Sequence, residues 1–117
     1  MPLLRRDTVN PARTLNALGL ALALTGTPTA FAADHVVVQR NKAFAVTRLS
    51  VEVGDTVTFL NLDDVPHNAF SLSKSNPFDT GMVMKGGSKA ITFARPGAVE
   101  VECAVHPGMT LAVDVRP

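Results

Sequence analysis

The sequence predicts an all-β protein, a small antiparallel Greek-key β-sandwich, and three observations carry that expectation. Short runs rich in Val, Thr and Phe alternate with a period of two. Clusters of Gly, Pro, Asn and Asp punctuate those runs. No segment beyond residue 33 carries a sustained helical period.

Taken in order, Val36-Val37-Val38 reads as a small strand near a sheet edge. Residues 46–53 place Leu49, Val51 and Val53 at every second position, the pattern of a half-buried strand. Gly54-Asp55 turns the chain into the β-rich run Thr56 to Asn61. After the acidic loop Asp63-Asp64-Val65-Pro66, the segment His67 to Leu72 reads as a further strand. Residues 73–87, rich in Lys, Ser, Asn, Pro, Asp and Gly, read as a long irregular loop across one end of the domain. Strand character resumes at Ala90 to Phe93, Arg95-Pro96-Gly97 makes a tight turn, and Val99 to Cys103 alternates strictly. The last strand alternates through Leu111, Val113 and Val115.

The first 33 residues differ in kind. Arg5, Arg6 and Arg13 precede the apolar run Leu15 to Leu24, which is followed by the small-residue stretch Ala30-Phe31-Ala32-Ala33. A basic n-region, a short apolar h-region and an A-x-A site are the parts of a secretory signal peptide, and the apolar run falls short of the ~20 residues a membrane span needs. The expected division is therefore a signal peptide over 1–33 and one domain over 34–117, exported to the periplasm.

Composition narrows the function classes. With 46% hydrophobic residues the chain has the material for a packed core. Beyond the leader it holds eight basic residues against nine acidic ones, a net charge near minus one. No basic stripe is left for nucleic acid, and nothing suggests stable membrane insertion. A monomer is expected.

Cys103 is the single cysteine, and in an oxidising compartment an unpaired thiol is buried, cross-linked, catalytic or metal-bound. Its context is Cys103-Ala104-Val105-His106-Pro107-Gly108-Met109, with Cys, His and Met three residues apart between two strands. Upstream, Pro66-His67-Asn68 puts a second His where a loop meets a strand, and pairing of the two strands would bring it beside the first loop. Singly, each residue has an ordinary explanation: a small buried hydrophobe, a surface imidazole, a core methionine. Jointly, a thiolate, two imidazoles and a thioether form a donor set suited to both Cu(I) and Cu(II), the His2Cys arrangement with a weak Met.

Gly54 to Phe59, Pro66-His67-Asn68, Phe93 to Gly97 and the loop Cys103 to Met109 together resemble the plastocyanin and azurin family of cupredoxins, and the short ligand loop is similar to that of the amicyanins. The resemblance spans nearly the whole mature chain. It implies a cupredoxin-like fold and one copper ion, with His67, Cys103 and His106 as strong equatorial ligands and Met109 as the long axial one. It implies that Asn68 ties the two ligand loops by hydrogen bonds, and that His106 is the electron port, ringed by Pro66, Pro107 and Gly108. The expected role is one-electron transfer between periplasmic redox proteins, without catalysis.

Other residues carry weaker readings. His35 could chelate Cu(II) with a free amine if cleavage follows Ala32; the simpler reading is an exposed His on a frayed end. Met82 and Met84 read as an end cap or apolar rim, and Asp63-Asp64 as a solvated turn. Competing functions are a copper carrier or storage protein using the same ligands, a Cys-His hydrolase, for which no oxyanion loop or third partner is evident, and a copper oxidase or nitrite-reducing enzyme, for which too few His remain.

Overall fold

The alternation in the sequence resolves into strands whose inward residues share one core. A computed structural model describes Gly26 and residues 31–117. The expected leader lies outside the described residues apart from Gly26 and 31–33.

The described strands are β1 (Asp34–Arg40), β2 (Ala43–Phe44), β3 (Arg48–Glu52), β4 (Thr56–Asn61), β5 (Phe70–Ser71), β6 (Phe78–Asp79), β7 (Ser88–Thr92), β8 (Gly97–Glu102) and β9 (Thr110–Arg116). They form a four-stranded sheet in the order β2-β1-β4-β7 and a five-stranded sheet in the order β3-β9-β8-β5-β6. Among the described residues no helix is long and apolar enough to cross a membrane.

Both inner faces obey the two-residue period. Val57 and Phe59 of β4, Val99 and Val101 of β8, and Leu111, Val113 and Val115 of β9 are buried, while Glu100, Ala112 and Asp114 face out. Phe44, Phe59, Phe78 and Phe93 bridge the sheets as successive ring contacts at 5.8–6.0 Å. Each such buried apolar side chain contributes roughly 1.5–3 kcal/mol.

The structure corrects the expected antiparallel sandwich in one respect: both sheets are mixed. β1 pairs with β4 in parallel, Val37 opposite Phe59, and β3 pairs with β9 in parallel, Val51 opposite Val115. Parallel neighbours need a long crossover, and here strands of the opposite sheet provide it, since β3 lies between β1 and β4 in the chain.

Three local expectations change as well. The Val36 to Val38 run is the middle of a seven-residue strand lying between β2 and β4, with Val37 inward and Val36 exposed. Val53 has left the strand and is exposed. Residues 73–87 hold β6, which pairs with β5, and Val83, which exchanges both backbone hydrogen bonds with His67. Their mixed composition hid these short pairings, because two-residue strands leave no period to read.

His35 is not on a frayed end. It lies on the inward phase of β1, and its Nε2 is 2.9 Å from Asp55 Oδ2. Asp55 also accepts the amides of Glu52 and Ala33, so one carboxylate fastens the β3–β4 turn to the start of β1. The Glu52 amide foremost, then the His35 ring and the Ala33 amide, draw its carboxyl from 3.8 down to about 2, against the opposing effect of desolvation. A carboxyl whose pKa is lower folded than unfolded stabilises the fold fully above the unfolded value. That contribution disappears as pH falls from about 3.8 through about 2. Urea titrations across this window are expected to show a falling midpoint, with a shallower fall in Asp55→Asn; equal slopes in the two proteins would remove Asp55 from the account.

Candidate metal centre

The site forms at the end of the sandwich remote from Asp55, where β1 and β4 finish side by side, Gln39 opposite Asn61. Three connections converge there: residues 62–69 after β4, residues 80–87 before β7, and the β8–β9 loop.

Strand β8 delivers Cys103. Its alternation buries Val99 and Val101 and carries on to Cys103, so the thiol points inward between the sheets. The loop beyond it is closed by its own backbone: His106 N–H donates to Cys103 C=O (3.4 Å), Met109 N–H to His106 C=O (3.0 Å), and Cys103 N–H to Met109 C=O (3.2 Å). Gly108 takes φ 87°, a left-handed turn that glycine permits without a Cβ penalty. Met109 is buried at the foot of β9, while Val105, Pro107 and Gly108 stay exposed.

His67 is fully buried. Its backbone N–H and C=O both bond to Val83, and Gly87 makes room for the Val83 side chain, since a Cβ there would lie 2.7 Å from Val83 Cγ1. The Nδ1 of His67 is 3.1 Å from Nδ1 of His106, and each of these nitrogens is 3.7 Å from Cys103 Sγ. The two rings meet edge to face, 4.7 Å apart. His106 is half-buried and is the most accessible of the three.

These separations fit a metal. A point equidistant from the three atoms lies ~2 Å from each, close to the metal–imidazole bond length of a first-row ion. A thiol and two imidazoles, with the buried thioether of Met109 in the same loop, are a borderline-to-soft set, suited to copper.

Asn68 lies between the two loops. It is buried, its Oδ1 accepts the Ala104 amide at 2.8 Å, and its carbonyl accepts Gln39 Nε2 at 3.0 Å. Pro66 is half-buried and Pro107 exposed beside His106. Met82 and Met84 flank the buried Val83 and are themselves exposed, so they fill no core. Asp64 is an exposed partner of Lys85, in keeping with a solvated turn.

Two residues escaped sequence reasoning. Asn61 is fully buried; its Nδ2 donates to Val65 C=O (2.9 Å) and Val83 C=O (2.8 Å), and its Oδ1 accepts the Asp63 amide (2.8 Å). The signal was present: Val57 and Phe59 set the inward phase of β4, and a polar residue next on that phase must find buried partners. Asp63 reads as half of an acidic turn, yet its Oδ2 is 2.6 Å from Nε2 of His67. Partial burial raises its carboxyl, but the His67 ring and the amides of Lys42 and Asn41 outweigh that and hold it at about 2.

A β-sandwich with a convergent Cys-His-His cluster at one end defines a small metalloprotein of the copper type. The chain belongs to the plastocyanin/azurin family of copper-binding proteins, whose family model matches residues 32–116. It is 30% identical over 69 residues to the amicyanin of Paracoccus denitrificans, a match covering 56% of this chain and 53% of that protein, so the chain spans about half the length of this curated relative. Among solved structures, an amicyanin variant in its Cu(I) form superposes with a TM-score of 0.66 at 28% identity, covering 71% of this chain and 82% of that one. A copper-containing nitrite reductase from Thermus scotoductus gives 0.67 at 28% identity, covering 72% of this chain but 22% of the enzyme.

Asn61→Val keeps the inward position filled but leaves the Val65 carbonyl and the Asp63 amide without their partner and removes one of the two donors to the Val83 carbonyl. At about 1–3 kcal/mol for a buried group left unpaired, a loss of roughly 3 kcal/mol in chemical denaturation is expected. A loss under ~0.5 kcal/mol would mean that Asn61 does not hold the loop.

Proposed function

We propose that this chain is a type 1 copper protein that carries single electrons, with His67, Cys103, His106 and Met109 as the residues that would hold the ion and Asn68 locking the two ligand loops. The observation that carries this reading is the convergence of one thiol and two Nδ1 atoms within 3.1–3.7 Å. Bound copper would supply a one-electron Cu(I)/Cu(II) couple.

The chain's own part is to hold the donors still. Cys103 and Met109 sit at the adjoining ends of a paired hairpin, and the Asn68–Ala104 bond joins His67's segment to it. A donor set locked in one geometry for both oxidation states keeps reorganisation small. His106, half-buried among exposed Val105, Pro107 and Gly108, is the ligand whose edge an external partner can approach.

Outer-sphere transfer is favoured over catalysis because a second, open copper would need further ligands. The remaining histidine, His35, lies at the other end of β1 bonded to Asp55. The same ligands would also serve copper delivery or storage; the burial of His67, Cys103 and Met109 favours retention of the ion. The signal-peptide pattern of residues 1–33 supports export to the periplasm, where the proposed carrier would work between redox proteins.

Copper-loaded mature protein is expected to show an intense visible thiolate-to-copper band and a reversible one-electron couple, with the band absent in Cys103→Ser. Colourless copper-loaded protein would overturn the reading, and rapid loss of copper to a chelator would favour delivery.

A further inference from the structure

The ring of His67 has two nitrogens, and the one turned from the thiol meets a side chain. Nε2 lies 2.6 Å from Asp63 Oδ2. A carboxylate only accepts, so Nε2 carries the proton and the neutral ring presents its lone pair at Nδ1, the atom facing Cys103 and His106.

Asp63 is itself clamped. Its Oδ1 accepts the Asn41 amide at 2.7 Å and its Oδ2 the Lys42 amide at 2.9 Å, while its own amide is held by Asn61. Asn41 and Lys42 form the tip of the β1–β2 hairpin with φ 56° and 55°, left-handed values that non-glycine residues seldom adopt. Two successive residues of this kind turn both amides onto one carboxylate. The Asp63 side chain is 13% exposed and His67 not at all, so water does little to screen the contact.

The geometry points to Asp63 as a positioning residue that fixes the His67 tautomer and lowers the reduction potential of the metal site, tying that site to the β1–β2 hairpin. This rests on the copper reading above. An anionic acceptor on the far nitrogen makes the imidazole a stronger donor. A stronger donor with a fixed negative charge behind it favours Cu(II) over Cu(I). The couple is Cu(II) plus one electron giving Cu(I), and no proton leaves Asp63 or His67.

Asp63→Asn tests this in copper-loaded mature protein, with Asp63→Glu as the charge-retaining control. In Asp63→Asn the Cu(I):Cu(II) balance is expected to move about tenfold toward Cu(I), a rise of ~59 mV for a one-electron couple. Cu(II) affinity is expected to fall about 10–100-fold. Asp63→Glu should recover most of the potential. Lower stability with an unchanged potential would reduce Asp63 to a turn former and overturn the inference, while a wild type with no reversible couple would defeat the copper reading instead.

The tautomer is read separately, without metal or mutation, from the ring nitrogens of His67 in ¹⁵N NMR of the wild-type protein. A proton resident on Nε2 and slow to exchange supports the assignment. A proton on Nδ1 overturns it, whatever the variants do.

Discussion

A fully buried imidazole with two nitrogens to satisfy is the constraint around which this end of the molecule is arranged. His67 has no access to water, so each ring nitrogen needs a partner from the protein or from what the protein binds. Asp63 takes Nε2, and Nδ1 is left turned toward Cys103 and His106. The carboxylate must in turn be held, and the amides of Asn41 and Lys42 hold it. Asn61 then fixes the loop that carries Asp63, and Val83 fixes the backbone of His67. These partners come from three connections of the sandwich and from the end of β4.

The mixed sheets matter for the same reason. Parallel pairing of β1 with β4 brings the ends of both strands to one pole, so the β1–β2 hairpin tip and the loop after β4 lie together. Gln39 at the end of β1 can then support the carbonyl of Asn68, whose side chain grips Ala104 in the other ligand loop. At the opposite pole Asp55 and His35 repeat the carboxylate–imidazole contact for a structural purpose, fastening a turn. One pairing of residue types thus serves a turn at one end and a donor atom at the other. What separates the two is the company of a thiol.

Much of the fold was legible because alternation is a local property. Val99, Val101 and Cys103, and Leu111, Val113 and Val115, announce their inward phase in any sheet that buries one face. The Cys103 to Met109 loop was legible for a similar reason, since three-residue spacing between adjoining strand ends confines its side chains to one neighbourhood. Short pairings were not legible: β2 and β6 have two residues each, too few for alternation to show, and β5 keeps only Phe70 and Ser71 of the run that reads as a strand.

The sequence by itself therefore determined an all-β chain, the inward face of its long strands, and the donor types gathered around Cys103. It placed His67 only through resemblance, and it passed over Asn61 and Asp63, whose importance lies in whom they touch. Tertiary structure alone decided the parallel pairing, the approach of His67 to the Cys103 loop, and the conversion of an acidic turn residue into the partner of a buried ring. The physical reason is range: side-chain periodicity is set by neighbours along the chain, whereas the direction in which an imidazole offers its lone pair is set by whatever acceptor the fold brings to its other nitrogen.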